Sequence, residues 1–320
     1  MEFRALQSEE LDAWFDHVAS VFTIGRQYFM NHWYNDPWQD LEGIRVAVDD
    51  GKIVSTVRVF IRRMYLHGEP VPAGGIGEVS TLPQYRRHGL ATRLLQDSIR
   101  FMEARGIVIS ALNGSQRIYT AEGWERIPRY FARTVMRAKS SGAYHIRPVD
   151  FDSETEREQL ANLHDAYSRR FNGVFVRDHP KYWSDWMPTE SPKIWVAEQE
   201  GVIKGYISIS NGNGRLQIRE FAAATELFDR DRGERVFNAF VGRAIRDAGT
   251  DVCEVIYPAP IADGFSAQTI EQSGSTMYRA ILPSQLPGPF NTLTDLLHRQ
   301  PADWDAGIAS HHLFWNTDGY

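Results

Sequence analysis

Fifteen residues constrain this chain more than any others: Glu78-Val79-Ser80-Thr81-Leu82-Pro83-Gln84-Tyr85-Arg86-Arg87-His88-Gly89-Leu90-Ala91-Thr92. They read as the end of a strand, a tight basic turn with one glycine, and the start of an amphipathic helix. Such a turn gathers backbone N–H groups at a helix N-terminus, where the dipole adds partial positive charge. Arg86 and Arg87 add full charges at the same point. The combination suits a pyrophosphate.

The flanking chain fits an α/β layering around that turn. After it, Leu90, Leu94, Leu95, Ile99 and Met102 recur at helical spacing, and Gly106 closes the helix. A continuous apolar run over residues 107–112 predicts a buried strand. Asn113-Gly114-Ser115 breaks it, a short helix follows over 116–121, and a strand runs from Gly123 to about residue 137. Before the turn, the pattern predicts a strand over 3–6 and a helix from an N-capping Ser8 to residue 22. The aromatic segment Tyr28 to Trp38 reads equally as a helix packed on a sheet and as rings lining a substrate pocket. Strands over 44–48 and 53–61 flank Asp49-Asp50-Gly51-Lys52, a hairpin signal.

Beyond the linker Lys139-Ser140-Ser141-Gly142 the same order of elements begins again. A strand over 146–149 and a helix over 154–168 precede a hairpin centred on Glu200-Gly201. A strand over 216–222 places Glu220-Phe221 where Glu78-Val79 stood, and a helix over 236–248 and a strand over 251–256 complete the set. The expectation is two tandem domains, 1–139 and 144–283, each a mostly antiparallel mixed sheet flanked by helices. An extension, 284–320, ends on aromatic residues and is expected to pack back on them. The second copy has Arg230-Asp231-Arg232-Gly233-Glu234-Arg235, with an arginine where the first has Ala91. A side chain of that size crowds a phosphate, so the second copy is read as having lost the site.

Composition excludes several classes. A net charge of −6 argues against a nucleic-acid partner, which would require a basic face. Cys253 is the single cysteine, so no disulfide framework or thiolate metal cluster is expected. His311-His312 has no further ligands in the pattern, and no metal is expected. There is no apolar leader and no run of 18 apolar residues, so the reading is cytoplasmic with no membrane partner. Whether the chain forms a homo-oligomer is left open.

Arg86-x-x-Gly89-x-Ala91, following Val79-x-x-x-Pro83 and followed by Tyr119-x-x-x-Gly123-Trp124, resembles the acetyl-CoA motifs of the GNAT superfamily of N-acetyltransferases. The resemblance covers residues 3 to about 137 well, and the second half at the level of fold. The tandem arrangement, Val174-Phe175-Val176-Arg177 leading to Tyr182-Trp183, and the aromatic tail look like Eis-type acetyltransferases, with the third, sterol-carrier-like domain of their longer members expected to be lacking or reduced to a remnant. The resemblance implies acetyl transfer from acetyl-CoA to a primary amine of a small molecule or peptide. It implies binding by the backbone of Val79, Ser80 and Thr81, and a pyrophosphate cradle of Arg86, Arg87, His88, Gly89, Leu90, Ala91 and Thr92. Asn113 and Ser115 would face the cofactor's other side, and Tyr119 would act as the acid. A phenol near pKa 10 protonates a thiolate near 8.5 at modest cost, so the residue type suits that role; a core tyrosine under Trp124 is the alternative. The base is open between Glu78, acting through water, and the carboxylate of Tyr320. A non-catalytic acyl-CoA sensor and a transferase using another acyl donor stand as competing functions.

Overall fold

Alternation along the first hairpin decides which helices cover which face. The structure, a computed structural model, describes all residues except 115–116, 192, 228–229, 263–268, 288–291, 294–296, 298–310 and 314–320. In β2 (Ile44–Asp49), Ile44, Val46 and Val48 pack with Trp14, Phe15 and Val18 of α1 (Leu11–Phe22) and with Phe29 and Trp33 of α2 (Arg26–Tyr34). Ala47 points the other way. It joins Val54, Val57 and Val59 of β3 (Lys52–Leu66) beneath Leu94, Leu95 and Met102 of α3 (Leu90–Ala104). The period of two thus places α1 and α2 on one face and α3 on the other. The hairpin turn has Asp50 and Gly51 at φ +48° and +73°, the paired left-handed turn whose twist matches that of its strands. One detail departs from expectation: Gln7, not Ser8, caps the turn that precedes α1.

β3 turns back at His67-Gly68 as β4 (Glu69–Thr81), and β1 (Glu2–Ala5) flanks β2. Two irregularities of β4 build the site. Thr56 faces Ser80 and Arg58 faces Gly77, so Val57 alone opposes Glu78 and Val79: a β-bulge, with Glu78 left-handed at φ +52°. On its other side β4 pairs in parallel with β5 (Ile109–Leu112) only from Ala73 to Gly75. Past Gly75, among the described residues, the two strands share no ladder bonds, and the edge of β4 is left open.

The second half repeats the plan with β7 (His145–Pro148), α5 (Glu154–Ser168), β9 (Ile194–Gln199), β10 (Val202–Gly212), β11 (Arg215–Ala223), α7 (Arg230–Asp247) and β12 (Val252–Pro258). β11 pairs in parallel with β12 over Arg215 to Gln217, and its pairing with β10 shifts register at Ser208/Ile209. α7 begins at Arg230, earlier than the apolar spacing suggests. The Arg230–Arg235 stretch, placed by the sequence ahead of a helix over 236–248, is therefore part of that helix.

The last strands of the two halves change places. β6 (Glu125–Arg137) lies against β12, and β13 (Thr269–Ala280) lies against β5 and β6. Among the described residues one sheet of twelve strands results, in the order β1-β2-β3-β4-β5-β13-β6-β12-β11-β10-β9-β7. Near the C-terminus, β14 (His311–His312) pairs with β8 (Phe171–Asn172), and Leu313 is buried in the core of the second half. The mixed, mostly antiparallel sheet flanked by helices is the fold class expected from the sequence.

Candidate functional site

A groove of about 570 Å³ lies where the end of β4 meets the N-terminus of α3. Leu82 starts a tight turn over Pro83–Tyr85, and Tyr85 Oη donates to Asp49 Oδ2 at 3.0 Å, tying the turn to the first hairpin. Arg87 and Gly89 then reverse the chain at φ +65° and +73°. Gly89 sits at the N-cap position and offers no side chain to bond the helix, so the first N–H groups of α3 have no side-chain cap. These donors, the dipole of a fifteen-residue helix and the Arg86 and Arg87 guanidinium groups converge on one place. An anion fits this arrangement on charge and hydrogen bonding together.

The groove is lined by Val79, Ser80, Thr81, Arg86, Arg87, Gly89, Leu90, Ala91 and Thr92. Arg86 also turns its Nε back to Thr81 O at 3.2 Å. His88 is exposed and does not line the groove, and Asn113 is exposed at the end of β5. Ser115 and Tyr320 lie outside the described residues. The sequence reading missed the side walls, which are Val21 and Phe22 at the end of α1 and Ile118 on α4 (Arg117–Ala121). Phe22 carried a signal, being a large aromatic residue that ends an amphipathic helix with a third of its surface exposed.

Tyr119, beside Ile118, is 8% exposed and packs in the core cluster that includes Leu112 and Trp124. A side chain on Gly114 would lie 2.7 Å from the Tyr119 ring, so that glycine makes room for it. Burial raises the phenol above its ordinary pKa, which keeps it protonated.

Glu78 is the end of a buried charged row between the halves. Its side chain is 7% exposed, Oε1 lies 3.5 Å from Arg58 Nη1, and Oε2 has no hydrogen-bond partner among the described residues. Arg58 also bonds Asp36 Oδ2 at 2.9 Å, and Asp36 Oδ1 accepts from Arg62 at 3.0 Å. The Arg58 guanidinium lies over Phe60 and Trp33, and that of Arg62 over Trp38, Phe60 and Trp186. Burial raises the Glu78 carboxyl above its ordinary value, with Arg58 and His32 opposing. The aromatic segment after α1 thus begins as a helix packed on the sheet through Phe29 and Trp33, one of the two readings its sequence allowed, and does more than pack. It supplies Trp33, Asp36 and Trp38 to this row. A lone arginine inside the apolar strand over 53–61 was the visible signal for it.

His32 lies beside the row and reaches the second half. Nε2 lies 2.6 Å from Glu190 Oε1 on α6 (Met187–Glu190), and Nδ1 lies 2.8 Å from Tyr28 O. Burial would lower this imidazole, but the Glu190 carboxylate outweighs it and the net shift is upward. Both ring nitrogens face acceptors, which is the geometry of an imidazolium.

The second half places Glu220 at the position equivalent to Glu78, three residues past the last parallel pair of its strand. Glu220 is fully buried. It accepts from Arg177 Nη1 at 2.7 Å and Tyr206 Oη at 2.5 Å, with His164 Nδ1 at 3.5 Å. Burial would raise this carboxyl, but Arg177 and His164 hold it below the ordinary range. Phe221, Ala222 and Ala223, which follow it, are 1–2% exposed, and Phe221 meets Phe237 and Phe240 edge-on. Cys253 is buried at the other end of β11, its Sγ 3.3 Å from Gly214 O.

Among the described residues no group of three His, Cys, Asp or Glu is placed to hold a metal, and no helix is long and apolar enough to cross a membrane. Residues 2–127 match the sequence pattern of the acetyltransferase (GNAT) domain family, and they carry the open strand, the bulge and the uncapped helix. An uncharacterized N-acetyltransferase of Streptomyces avermitilis is 28% identical over 146 residues, 43% of this chain and 35% of that protein. The chain thus aligns with about a third of that curated relative's length. A GCN5-related N-acetyltransferase from Anabaena variabilis shares the fold with a TM-score of 0.67 at 18% identity, over 88% of this chain and 72% of that one. Eis1 from Mycobacterium abscessus does so with a TM-score of 0.61 at 18% identity, over 88% and 74%. The likeness in fold therefore runs through both halves.

Proposed function

We propose that the chain is an acetyl-CoA-dependent N-acetyltransferase that acetylates a primary amine of a small molecule or peptide. The observation that carries this is the groove itself, where an open strand edge leads straight to an uncapped, arginine-flanked helix N-terminus. The strand edge offers backbone partners to an extended amide-bearing arm, in the manner of an added strand. The helix end and Arg86 and Arg87 take the phosphates. Glu78, with one buried oxygen unpaired and a raised pKa, draws a proton from the incoming ammonium, directly or through water. The backbone N–H of Val79, at the bulge, steadies the developing oxyanion. The Tyr119 hydroxyl gives its proton to the departing thiolate, and the second proton shed by the nitrogen as the C–S bond breaks restores the phenol through solvent. No nucleophilic side chain is required, because both reactants are held for direct attack.

A second reading, an acyl-CoA-binding module without turnover, draws on the packing of Tyr119 into the core. One experiment separates the two. Release of free thiol from acetyl-CoA is followed with a panel of primary amines, for the native protein and Tyr119→Phe. The transferase reading expects turnover that falls on the order of a hundredfold or more in the variant while the Kd for CoA holds. Tight CoA binding with no thiol release from any amine would establish the binding module instead.

A further inference from the structure

Two hydroxyls at the end of β4 have their protons committed away from the groove. His17 Nδ1 lies 3.1 Å from Ile53 O, and a carbonyl oxygen only accepts, so the ring carries a proton on Nδ1. Burial pushes this imidazole down to about 4, which leaves Nε2 bare. Ser80 Oγ, 3.0 Å from that nitrogen, therefore donates to it. The next residue follows the same logic. Ser55 Oγ gives its one proton to Ser80 O at 2.9 Å, so in its 2.8 Å contact with Thr81 Oγ1 the threonine is the donor. Ser80 and Thr81 both line the groove, and each is left with only lone pairs to offer a ligand. A few residues on, Arg86, Arg87 and the first N–H groups of α3 offer only protons.

We propose that this proton arrangement polarises the groove. His17 and Ser55, neither of which lines it, make the end of β4 a stretch that accepts amide N–H groups of a pantetheine arm and rejects phosphate oxygens. The inference rests on the acyl-CoA reading above. A ligand laid in reverse would set phosphate oxygens against lone pairs and amide N–H groups against arginines, leaving desolvated groups unpaired at both ends. The direction of the ligand, and hence the placement of its thioester near Glu78 and Tyr119, is set before any acceptor arrives. His17 and Ser55 act here as positioning residues.

Calorimetric titration of the full chain with two probes tests this: CoA, and adenosine 3′,5′-bisphosphate, which has phosphates but no arm. Ser80→Ala, Thr81→Val and Ser55→Ala are each expected to weaken CoA about three- to tenfold, the range of one hydrogen bond, while the Kd for the bisphosphate moves less than about twofold. Retained bisphosphate binding reports an intact fold. His17→Gln, whose amide can both donate to Ile53 O and accept from Ser80, should keep more CoA affinity than His17→Leu. Unchanged CoA affinity in Ser80→Ala and Thr81→Val overturns the inference, and so does an equal loss for both probes. A native protein that binds neither probe overturns the acyl-CoA reading itself, and the inference with it.

Discussion

Glu78 and Glu220 occupy equivalent places in the two halves and have opposite surroundings. Each lies three residues beyond the point where its strand parts from a parallel neighbour. Glu220 is saturated by Arg177, Tyr206 and His164, and the space beside it is filled by Phe221, Phe237 and Phe240. Glu78 has one distant arginine contact and an unpaired buried oxygen, and the three residues after it line an open groove. A buried carboxylate with full partners is a structural part. One that is short of partners holds its charge at a cost that a proton or a ligand relieves, which is the pattern of a functional site. The two halves share a scaffold, and among the described residues the two equivalent carboxylates differ in whether their partners are complete.

The contrast is most exposed to challenge at Arg177. Arg177→Leu would strand the Glu220 carboxylate in the core, and a loss of about 3–5 kcal/mol is expected in denaturant unfolding. A loss below about 1 kcal/mol would mean that Tyr206 and His164 suffice.

The next largest effect concerns His17, the buried histidine behind Ser80. His17 has a folded pKa of about 4 against an ordinary 6.5. The unfolded chain therefore binds the extra proton between those values, so this group's stabilisation is complete above pH 6.5 and is lost as pH falls toward 4. The shift corresponds to about 3 kcal/mol. Between pH 6.5 and 4, His17→Gln should flatten the fall in stability by roughly that amount, as read by unfolding at several pH values. Lys52 is the charge that adds to the effect of burial, so Lys52→Gln should recover a small part of it.

Glu78→Gln should lower kcat on the order of a hundredfold, about 2.7 kcal/mol, without lowering the melting temperature, because it removes an under-partnered buried charge. A parallel loss of stability would make Glu78 a structural residue like Glu220. The smallest effect is expected at the cradle. Ala91→Arg should raise the Kd for CoA about tenfold by crowding the helix N-terminus, leaving the fold unchanged.

The fold class was legible because the signals were local. Helical spacing marked α3, Asp50-Gly51 and Glu200-Gly201 marked two hairpins, and the basic turn from Arg86 to Gly89 announced the groove. What was not legible depended on distant pairing. Nothing in residues 125–137 says that they lie against 252–258, and nothing in residues 77–80 reveals a bulge, since a bulge is a relation between two strands. Asp36, Arg58, Arg62 and Glu78 form a polar network through three separate segments, with only the isolated Arg58 hinting at it. His17 reads as a polar lapse on the apolar face of α1 until Ser80 is found opposite it. The start of α7 was misplaced because charged residues hide the first turns of a helix whose buried face begins later.

The exchange of final strands has a consequence for synthesis. On a ribosome the first half emerges with the far edge of β5 bare, and the strand that covers it follows about 165 residues later. At roughly 5–20 residues per second that edge stays open for about ten to thirty seconds. An open, apolar strand edge invites pairing with other chains. Vulnerability to misassembly is thus expected to depend on translation speed as well as on final stability.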